Sequence, residues 1–475
     1  AFTASKAALL GPGSGVVSII PAGGSGFIAL KSDGSRVVWG SYEPPTTVTA
    51  VGNNYTKLCE GGQCFAALNT DGTVVTWGSA SNGGDSSTVQ SQLTNVVSIR
   101  STRFAFAALK ADGSVVSWGS ATNGGDSSAV QSDLTNVSKI YNSGAAFAAL
   151  KSDGSVVCWG STLYGGVVNP DITSAAISSG NSPVTKIYAT YYSMCAVRND
   201  GTVVGWGSAG EGGNPPTDLT NVTRIYPNFY SMVALKSDGS MIGWGTPSHG
   251  GTVPASVSSP NPSYDDQVAS VHVINAAYTV IKQNGTVISW GYNTLGGNQS
   301  SPKSIQSTFG LSSLNNNVSS IFSMYENDDD AEILDSNIYT IQGYNSQSFF
   351  AILNDPAKNT FGWGGQTFGY ATFLSSEDIS SQLSSNVKHI YSSGYAWAAL
   401  KMDGTVVVWG DPDRGGGTQP DGLTDIINIS GNYYAFAALR SNGTVVTWGL
   451  TDNGGDSSSV QSQLTNVVHI YSNNY

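Results

Sequence analysis

The densest run of carboxylates in this chain lies at positions 326–332, where Asp328, Asp329 and Asp330 are consecutive. Carboxylate oxygens are ligands that Ca²⁺ prefers, so such a run could form a calcium site. A run of like charges is also typical of a solvated loop, and this interpretation is favoured. Calcium or a partner protein are the functional alternatives.

Aromatic residues form a second group with binding potential, because they recur just before a short apolar run in several copies of a repeated segment. They are Phe104, Tyr192, Tyr230, Tyr395 and Tyr434. Exposed aromatic rings are good anchors for contacts with a protein or a glycan. We predict a partner-binding surface at these five residues, with covering of the apolar core as the alternative.

The cysteines indicate structure rather than catalysis. Cys59 and Cys64 flank the segment Glu-Gly-Gly-Gln between two β-type runs, a spacing that permits a small disulfide. Cys158 and Cys195 occupy strand positions that hold Ser, Thr or Ala in other copies. We therefore expect both to be buried free thiols.

No set of side chains suited to catalysis emerges from the sequence. His389 and His469 precede Ile-Tyr at a position that holds Ser, Lys or Arg in other copies, which is typical of a strand surface. His249 and His272 are too scattered to pair as zinc ligands. There is no Ser-His-Asp arrangement, phosphate-binding glycine loop or paired glutamate. We expect no enzymatic activity, no catalytic residue and no cofactor, apart from the calcium alternative.

These candidate residues sit on a repeated element that ends in Trp-Gly. The tryptophans are Trp39, Trp77, Trp118, Trp159, Trp206, Trp244, Trp290, Trp363, Trp409 and Trp448. Most of their spacings lie between 38 and 47 residues, and the longest is 73. A period near 40 residues indicates one supersecondary unit that is copied and stacked, each copy relying on its neighbours for part of its core.

One copy, at 96–135, shows what the unit contains. A first β-type run is followed by the apolar run Phe106–Leu109, by Asp112-Gly113, and by a third run that ends in Trp118. Asp-Gly between two such runs predicts a hairpin with a type I′ turn, and nine copies carry Asp-Gly or Asn-Gly there. The aspartates are therefore interpreted as turn formers, and the alanines as suited to a crowded position where sheets converge.

The loop after Trp-Gly reads Gly-Gly-Asp-Ser-Ser in three copies, at 83–87, 124–128 and 454–458. The spacing of Ser87 and Gln90 is that of a capping box, which predicts one helical turn before the next strand. The Asp of this loop could bind calcium, but a turn-and-cap role is favoured because Asn214 and Asn298 stand at equivalent positions.

Three strands in about 40 residues fit a compact propeller blade, with a parallel β-helix as the alternative. We predict an all-β fold of propeller-type repeats, continuous over 1–475, with ten clear units and a degenerate one at 1–10. The arrangements left open are one large ring, two rings and an open superhelical array. Positions 292–350 form an irregular insertion within one repeat, and insertions on repeat scaffolds often carry function.

The order of strand, Asp-Gly, strand and Trp-Gly resembles the repeat of the regulator of chromosome condensation family. The segments ALKSDGSVVCWG at 149–160 and ALKMDGTVVVWG at 399–410 carry this resemblance. The short unit is most similar to the bacterial branch that includes a secreted β-lactamase inhibitor protein. The resemblance implies a propeller fold, and the inhibitor-like relatives imply a partner on the aromatic loop face. One departure is the count of ten units, where the family's ring normally has seven.

The two ends of the chain could belong to one repeat. The last residues, HIYSNNY, stop where other copies continue into an apolar run, and the chain begins with AFTA. The N-terminal segment either completes the last blade of its own chain or completes that of the next molecule. The second arrangement would give a head-to-tail filament, because an exposed strand edge is a template for pairing. The third alternative is that the chain is part of a longer repeat protein.

The composition limits the classes of function. Charged residues make up 11% of the chain and the net charge is −12. Twenty scattered basic residues form no stripe for phosphate backbones, so a nucleic-acid partner is excluded. No apolar run is long enough to span a bilayer. We predict an extracellular or cell-surface structural or adhesive protein, able to self-associate end to end, with a glycan as a further partner. The alternative is a secreted, inhibitor-like binding protein that uses the aromatic face.

Overall fold

The computed structural model describes residues 26–31, 36–40, 55–61, 64–69, 71–259, 267–274, 276–283, 287–292, 318–322, 348–353, 360–364, 381–383, 386–417, 420 and 422–472. The chain divides into two compact units. Unit 1 comprises Ala1–Ala121, Gln342–Asn345 and Thr372–Tyr475, and unit 2 comprises Thr122–Ile341 and Ser346–Ala371. Most of the predicted insertion at 292–350, including Asp328, Asp329 and Asp330, lies outside the described residues.

The described residues form short β-strands that follow one another in groups of three. In chain order the strands are β1 (Gly26–Lys31), β2 (Arg36–Gly40), β3 (Tyr55–Gly61), β4 (Cys64–Asn69), β5 (Val74–Gly78), β6 (Val96–Ser101), β7 (Ala105–Lys110), β8 (Val115–Gly119), β9 (Val137–Asn142), β10 (Ala146–Lys151), β11 (Val156–Gly160), β12 (Val184–Ala189), β13 (Ser193–Arg198), β14 (Val203–Gly207), β15 (Val222–Pro227), β16 (Ser231–Lys236), β17 (Met241–Gly245), β18 (Val268–Ile274), β19 (Ala277–Lys282), β20 (Val287–Gly291), β21 (Val318–Phe322), β22 (Ser348–Leu353), β23 (Thr360–Gly364), β24 (Val387–Ser392), β25 (Ala396–Lys401), β26 (Val406–Gly410), β27 (Ile426–Gly431), β28 (Ala435–Arg440), β29 (Val445–Gly449) and β30 (Val467–Ser472).

Among the described residues these strands build ten antiparallel sheets of three strands each, five in each unit. The alanine-rich run is the central strand of its sheet, as in the order β6-β7-β8. Ala105, Phe106, Ala107 and Ala108 are fully buried in that central strand, because it is covered on both faces and paired on both edges. The all-β, propeller-type repeat predicted from the sequence is the fold of this chain.

The turn after the central strand of the copy at 96–135 differs from the predicted type I′ turn. The amide of Gly113 donates to the carbonyl of Lys110 at 2.9 Å, and Gly113 alone takes a left-handed φ, of 78°. This is a three-residue loop in which a type I turn precedes a left-handed glycine. Asp112 keeps a negative φ because its Oδ1 accepts bonds from the amide and hydroxyl of Ser114, at 2.9 and 2.6 Å. The role of these aspartates as turn formers is confirmed.

In six copies that the structure describes, the tryptophan joins its sheet to the loop of the preceding copy. The ring of Trp118 stacks on Phe106 with centroids 5.2 Å apart, and its Nε1 donates to the carbonyl of Gly83 at 3.0 Å. Gly83 has a φ of 102°, and a Cβ there would lie 2.6 Å from the Phe106 ring. The same bond to an earlier glycine is made by Trp159, Trp206, Trp244, Trp290 and Trp448. The tryptophans thus fill the space between neighbouring sheets, as predicted.

The Gly-Gly-Asp-Ser-Ser loops are held by their own side chains. Asp85 accepts a bond from the amide of Ser87 at 2.8 Å. The hydroxyl of Ser86, rather than that of Ser87, donates to Gln90 at 2.7 Å, and Gln90 donates to the carbonyl of Val74 at 2.9 Å. The predicted capping pair is therefore shifted by one residue. The helical turn that follows is a 3₁₀ turn at Gln90–Gln92.

One sheet of unit 1 is built from both ends of the described chain, in the order β2-β1-β30. Phe27 of β1 lies opposite Ser472 of β30, the register in which Phe106 lies opposite Ser101 within a single copy. The C-terminal strand therefore completes a repeat of its own chain. Its partner is the segment at 26–31, whereas the segment at 1–10 considered from the sequence lies outside the described residues.

Helical structure in the described part of the chain is confined to short turns. Two α-helices lie wholly within the described residues, α1 (Ser174–Ser178) and α2 (Ala255–Ser258), and residues 381–382 are also helical. One-turn 3₁₀ helices follow several Trp-Gly pairs, at Ala80–Asn82, Ala121–Asn123, Thr162–Tyr164, Ala209–Glu211, Pro247–His249, Pro412–Arg414 and Thr451–Asn453. No helix of the described residues has the length and apolar character needed to cross a membrane.

Candidate functional site

Each predicted aromatic site residue lies in the loop that enters a central strand, and a buried polar side chain two residues earlier holds that loop. The Oγ1 of Thr190 accepts from the amide of Tyr192 at 3.1 Å. The Oδ1 of Asn228 accepts from the amide of Tyr230 at 2.8 Å. We name the five residues of this kind the clasp residues: Thr102, Thr190, Asn228, Ser393 and Asn432.

Three of the clasp residues, Thr190, Asn228 and Asn432, also hold the end of the following 3₁₀ helix. Asn228 Nδ2 donates to the carbonyl of His249 at 2.6 Å, and Thr190 Oγ1 donates to that of Glu211 at 3.1 Å. We name this last helical residue, which precedes a left-handed glycine, the helix-end position. Its occupants are Asn82, Asn123, Tyr164, Glu211, His249, Arg414 and Asn453. The backbone is thus alike from copy to copy while this side chain varies in size and charge.

In unit 2 the loops and helix ends bring seven rings into one continuous cluster, which we name the aromatic ladder. Its members are Tyr164, Tyr191, Tyr192, Phe229, Tyr230, His249 and Tyr292. One row runs from Tyr164 to Tyr192 and Tyr230, with stacked rings whose centroids are 5.4 and 6.0 Å apart. A second row consists of Tyr191 stacked on Phe229 at 4.5 Å.

The ladder is a surface rather than a buried core. Six of its rings are partly exposed, and Tyr292, at its end, is 41% exposed. His249 links Tyr230 to Tyr292, with centroid distances of 4.6 and 4.9 Å. Burial lowers the pKa of His249, which favours the neutral imidazole beside these rings. The structure therefore joins two of the predicted site residues, Tyr192 and Tyr230, in one partly exposed aromatic surface.

The negative charge of the helix-end residue Glu211 acts on the tyrosines of this row. Burial raises the pKa of Tyr230, and the charge of Glu211 raises it further. Burial also raises the pKa of Tyr192, and the charges of Tyr230 and Glu211 raise it further. The backbone of Glu211 is fixed against the Tyr192 loop, because the hydroxyl of Ser193 donates to its carbonyl at 2.9 Å. The ladder thus combines electron-rich ring faces with one negative charge.

Unit 1 holds a smaller cluster of the same kind, the unit 1 tyrosine cluster, which consists of Tyr395, Tyr433 and Tyr434. Tyr395 stacks on Tyr434 at 5.8 Å, so two further predicted site residues are in contact. The guanidinium of Arg414 lies 4.4 Å from the centroid of Tyr395, and its Nη1 is 2.6 Å from Oδ2 of Asp411. This cluster therefore carries a cation of the chain itself on its tyrosine face.

The fifth predicted aromatic, Phe104, belongs to unit 1 and lies against its neighbour Arg103, whose guanidinium carbon is 5.4 Å from the ring centroid. The structure thus separates the five predicted residues into two pairs and one single ring. For metal binding, no group of three or more His, Cys, Asp or Glu side chains converges within the described ranges.

The disulfide predicted between Cys59 and Cys64 is not formed, since Cys64 is a buried cysteine outside any disulfide. Cys64 lies opposite Gly61, whereas Cys59 lies opposite Ala66. This offset of two residues puts their Cα atoms about 8 Å apart, farther than a disulfide spans. The Sγ of Cys64 instead donates to the carbonyl of Asn82, at 2.8 Å. Cys158 and Cys195 are buried free thiols, as predicted.

The sequence interpretation missed the clasp residues and the helix-end position. The clasp residues have a recognisable signal, because Thr, Asn or Ser stands two residues before each aromatic, as in Thr190-Tyr191-Tyr192 and Asn228-Phe229-Tyr230. The helix-end position has a weaker sequence signal, since only the glycine that follows it recurs from copy to copy. Its importance depends on the spatial approach of residues about 20 positions apart, such as Thr190 and Glu211.

The chain matches no family model and no curated protein. Among solved structures it is similar to the ectodomain of the receptor kinase CR4 from Physcomitrella patens, at 15% identity over 68% of this chain and 73% of that chain, with a TM-score of 0.32. It is similar to the WD40 ectodomain of the receptor kinase ACR4 from Arabidopsis thaliana, at 16% identity over 66% and 97% of the two chains, with a TM-score of 0.30.

The chain is also similar to yeast RCC1 (Prp20), in a structure bound to Kap60, at 15% identity over 73% of this chain and 76% of that chain, with a TM-score of 0.31. Identities and TM-scores this low say nothing about the partner of the present chain. Its architecture follows from its own sheets and their register: it is an all-β protein of propeller-type repeats.

Proposed function

We propose that this chain is a non-enzymatic protein-binding repeat protein whose binding surface is the aromatic ladder of unit 2. The observation that carries the proposal is the unbroken series of ring contacts from Tyr164 to Tyr292, on loops that leave every ring partly exposed. Aromatic side chains dominate the energetics of protein interfaces because they bury a large area at low entropic cost.

The rigidity of the ladder supports this proposal. The clasp residues Thr190 and Asn228 are fully buried, and each fixes both an aromatic loop and a helix end. A surface that is already ordered before binding loses less conformational entropy when a partner docks. The loops are therefore suited to bind a partner without rearranging.

A non-enzymatic role agrees with how the reactive side chains are used. The turn aspartates accept hydrogen bonds from the residue that follows the turn glycine. In one example, the amide and the hydroxyl of Thr202 donate to Asp200 and lower the pKa of its carboxyl group. Burial raises the pKa of the Cys158 and Cys195 thiols, which suppresses the nucleophilic thiolate. These groups stabilise the repeat and are poorly placed to attack a substrate.

We further propose an extracellular or cell-surface location, supported by the low content of charged residues and the abundance of Ser, Thr, Asn and Gly. A structural or adhesive role, and the closer relation to the inhibitor-like branch of the propeller family, remain predictions from the sequence. Of these, an inhibitor-like role would use the aromatic surface, and a structural or adhesive role would depend on end-to-end assembly.

The test is to select peptides from a random display library on the whole chain, and then to measure their binding to variants by calorimetry. The double variant Tyr192→Ala with Tyr230→Ala should lose about tenfold or more in affinity, as expected for truncated aromatic anchors. The matched control makes the same substitutions at Tyr395 and Tyr434 in unit 1 and should bind normally. Selected peptides that bind both double variants equally well would refute the ladder as the binding surface.

Assembly into filaments is a second candidate, and the observation that favours it is the sheet built from both chain ends. β30 completes this sheet within its own chain, but the same pairing with β1 of another chain would link molecules head to tail. Sedimentation over a range of concentrations, with deletion of 467–472 as the comparison, tests this. Particles that stay monomeric at every concentration would exclude filaments.

A further inference from the structure

Unit 1 contains a complete example of how its tyrosine loops bind a cation. The planar guanidinium of Arg414 lies 4.4 Å from the centre of the Tyr395 ring, and a carboxylate oxygen of Asp411 is 2.6 Å from its Nη1. A ring face and a carboxylate are the two groups that an arginine side chain engages most strongly. Here the cation is supplied by the helix-end position.

Unit 2 repeats the same backbone with the opposite charge. Glu211 ends the 3₁₀ helix Ala209–Glu211 before a glycine with a φ of 107°, as Arg414 ends Pro412–Arg414 before a glycine with a φ of 100°. The flanking tyrosines are Tyr192 and Tyr230, which stack 6.0 Å apart, close to the 5.8 Å between Tyr395 and Tyr434. The tyrosine pair is therefore preserved, while the cation is replaced by a carboxylate.

Unit 2 therefore has a tyrosine pair and a carboxylate, the two kinds of group that engage an arginine, but no arginine. The carboxylate stands at the helix-end position of Arg414, and Ser208 stands at the position of Asp411. Within the part of the chain that the structure describes, no Lys or Arg forms an ion pair with Glu211. Glu211, Tyr192 and Tyr230 are each partly exposed, so a partner can reach all three residues. Complementarity of charge therefore favours a basic partner group over an acidic or neutral one.

We propose that Tyr192, Glu211 and Tyr230 form a binding site for an arginine side chain of the protein partner. This inference rests on the proposed function of the aromatic ladder and specifies the chemistry that the ladder recognises. The guanidinium stacks on the tyrosine faces, as Arg414 stacks on Tyr395 within unit 1, and donates hydrogen bonds to Glu211, whose carboxylate comes from the helix-end position and not from the position of Asp411.

The test uses N-acetyl-arginine amide as the probe and observes the tyrosine ring resonances of the labelled whole chain by NMR. Titration should shift the resonances of Tyr192 and Tyr230, whereas the uncharged isostere N-acetyl-citrulline amide should not shift them. Glu211→Gln should weaken arginine binding about tenfold, the effect of losing a charge-assisted hydrogen bond. Glu211→Arg should abolish binding, because the new side chain would occupy the site as Arg414 does in unit 1.

Three results would overturn the inference: equal binding of arginine and citrulline amides, unchanged binding by Glu211→Gln, or equal binding of N-acetyl-lysine amide. Thermal unfolding of each variant shows that the fold is retained. The outcome is separable from that of the proposed function, because selected peptides without arginine can still bind the ladder. If they do so while the arginine probe fails, the ladder is a binding surface of a different specificity.

Discussion

The tyrosine loops of unit 1 and unit 2 have the same backbone, but the short helix after them differs in charge. Asp411, Asp413 and Arg414 of unit 1 correspond to Ser208, Gly210 and Glu211 of unit 2. In unit 1 Arg414 covers Tyr395, and in unit 2 the equivalent residue is Glu211, beside Tyr192. The ring stacking and the left-handed glycine are alike in both. The comparison teaches that this repeat keeps its scaffold constant and varies its surface chemistry through the helix-end side chain.

The scaffold can stay constant because its hydrogen bonds use atoms that do not depend on the helix-end side chain. Three of the clasp residues bind the backbone carbonyl at that position, as Asn228 does at His249 and Asn432 at Asn453. His249 and Asn453 can therefore differ without loss of the bond. Glycines supply the remaining space, since a Cβ at Gly144 or Gly394 would lie 2.7 Å from the ring of Tyr191 or Tyr433.

The largest effect is expected when a clasp residue is removed in one unit. This substitution tests whether the two units keep their loops in the same way. Asn228→Ala leaves the amides of Tyr230 and Ser231 without their acceptor, and it removes one of the two donors to the carbonyl of His249, the other being the hydroxyl of Ser231. We expect a loss of about 2–4 kcal/mol in the free energy of unfolding, because buried polar groups become unsatisfied. Urea denaturation measures it, and hydrogen exchange shows which unit is affected.

Asn432→Ala in unit 1 is the matched variant, since Asn432 makes the same set of bonds. It should cost a similar amount but leave peptide binding by the ladder intact. A loss of ladder binding in Asn432→Ala, or its retention in Asn228→Ala, would contradict the independent roles of the two clusters.

Acidification should lower the stability of unit 1 and unit 2 to a similar extent, because each contains a partly buried histidine. A similar response would indicate that the two units differ in their loops and not in their cores. Burial lowers the pKa to about 4 for His272 in unit 2 and for His389 in unit 1. Between pH 6.5 and 4 the unfolded chain binds protons at these residues that the folded chain does not. The free energy of unfolding should therefore fall as the pH drops, by about 1–3 kcal/mol per histidine.

His272→Gln and His389→Gln should each flatten this pH dependence in urea denaturation. Their stabilities at neutral pH serve as the reference, because both histidines are neutral there. A pH profile between 6.5 and 4 that is the same in the wild type and in both variants would show that these histidines titrate normally.

Exchange of the helix-end charge should convert one cluster into the other. Arg414→Glu removes the cation from Tyr395 and places a carboxylate between the unit 1 tyrosines, so unit 1 should gain binding of N-acetyl-arginine amide. The stability cost is about 1 kcal/mol, the magnitude of a partly exposed cation–π contact. Arg414→Gln is the control that loses the cation without adding a negative charge, and NMR titration should show weaker binding than with Arg414→Glu.

The smallest effect is expected in the hairpin turns, which should be interchangeable between units. Asp200→Asn should leave the thermal unfolding midpoint unchanged, because Asn442 makes the same two bonds to Thr444, at 3.0 and 2.7 Å, that Asp200 makes to Thr202, at 3.0 and 2.6 Å. Asp200→Ala removes the acceptor and should lower the midpoint. Equal midpoints for the two variants would show that the side-chain oxygen is unimportant.

The sequence by itself determined the repeated unit, its three strands, the turn role of the aspartates and the place of the tryptophans between sheets. Each of these depends on short-range chemistry or on a period that every copy repeats. Even there the exact turn type was wrong, because the hydrogen bonds from Ser114 to Asp112 favour a left-handed φ at the glycine alone.

Only the tertiary structure decided which side chains meet. It paired Tyr192 with Tyr230 and Tyr395 with Tyr434, left Phe104 with Arg103, placed Glu211 where Arg414 stands in the other unit, and kept Cys64 reduced. These outcomes depend on strand register and on the approach of loops from successive sheets. Such contacts join residues far apart in the chain. A local sequence pattern can therefore predict candidate binding residues, but it cannot determine which side chains contact them.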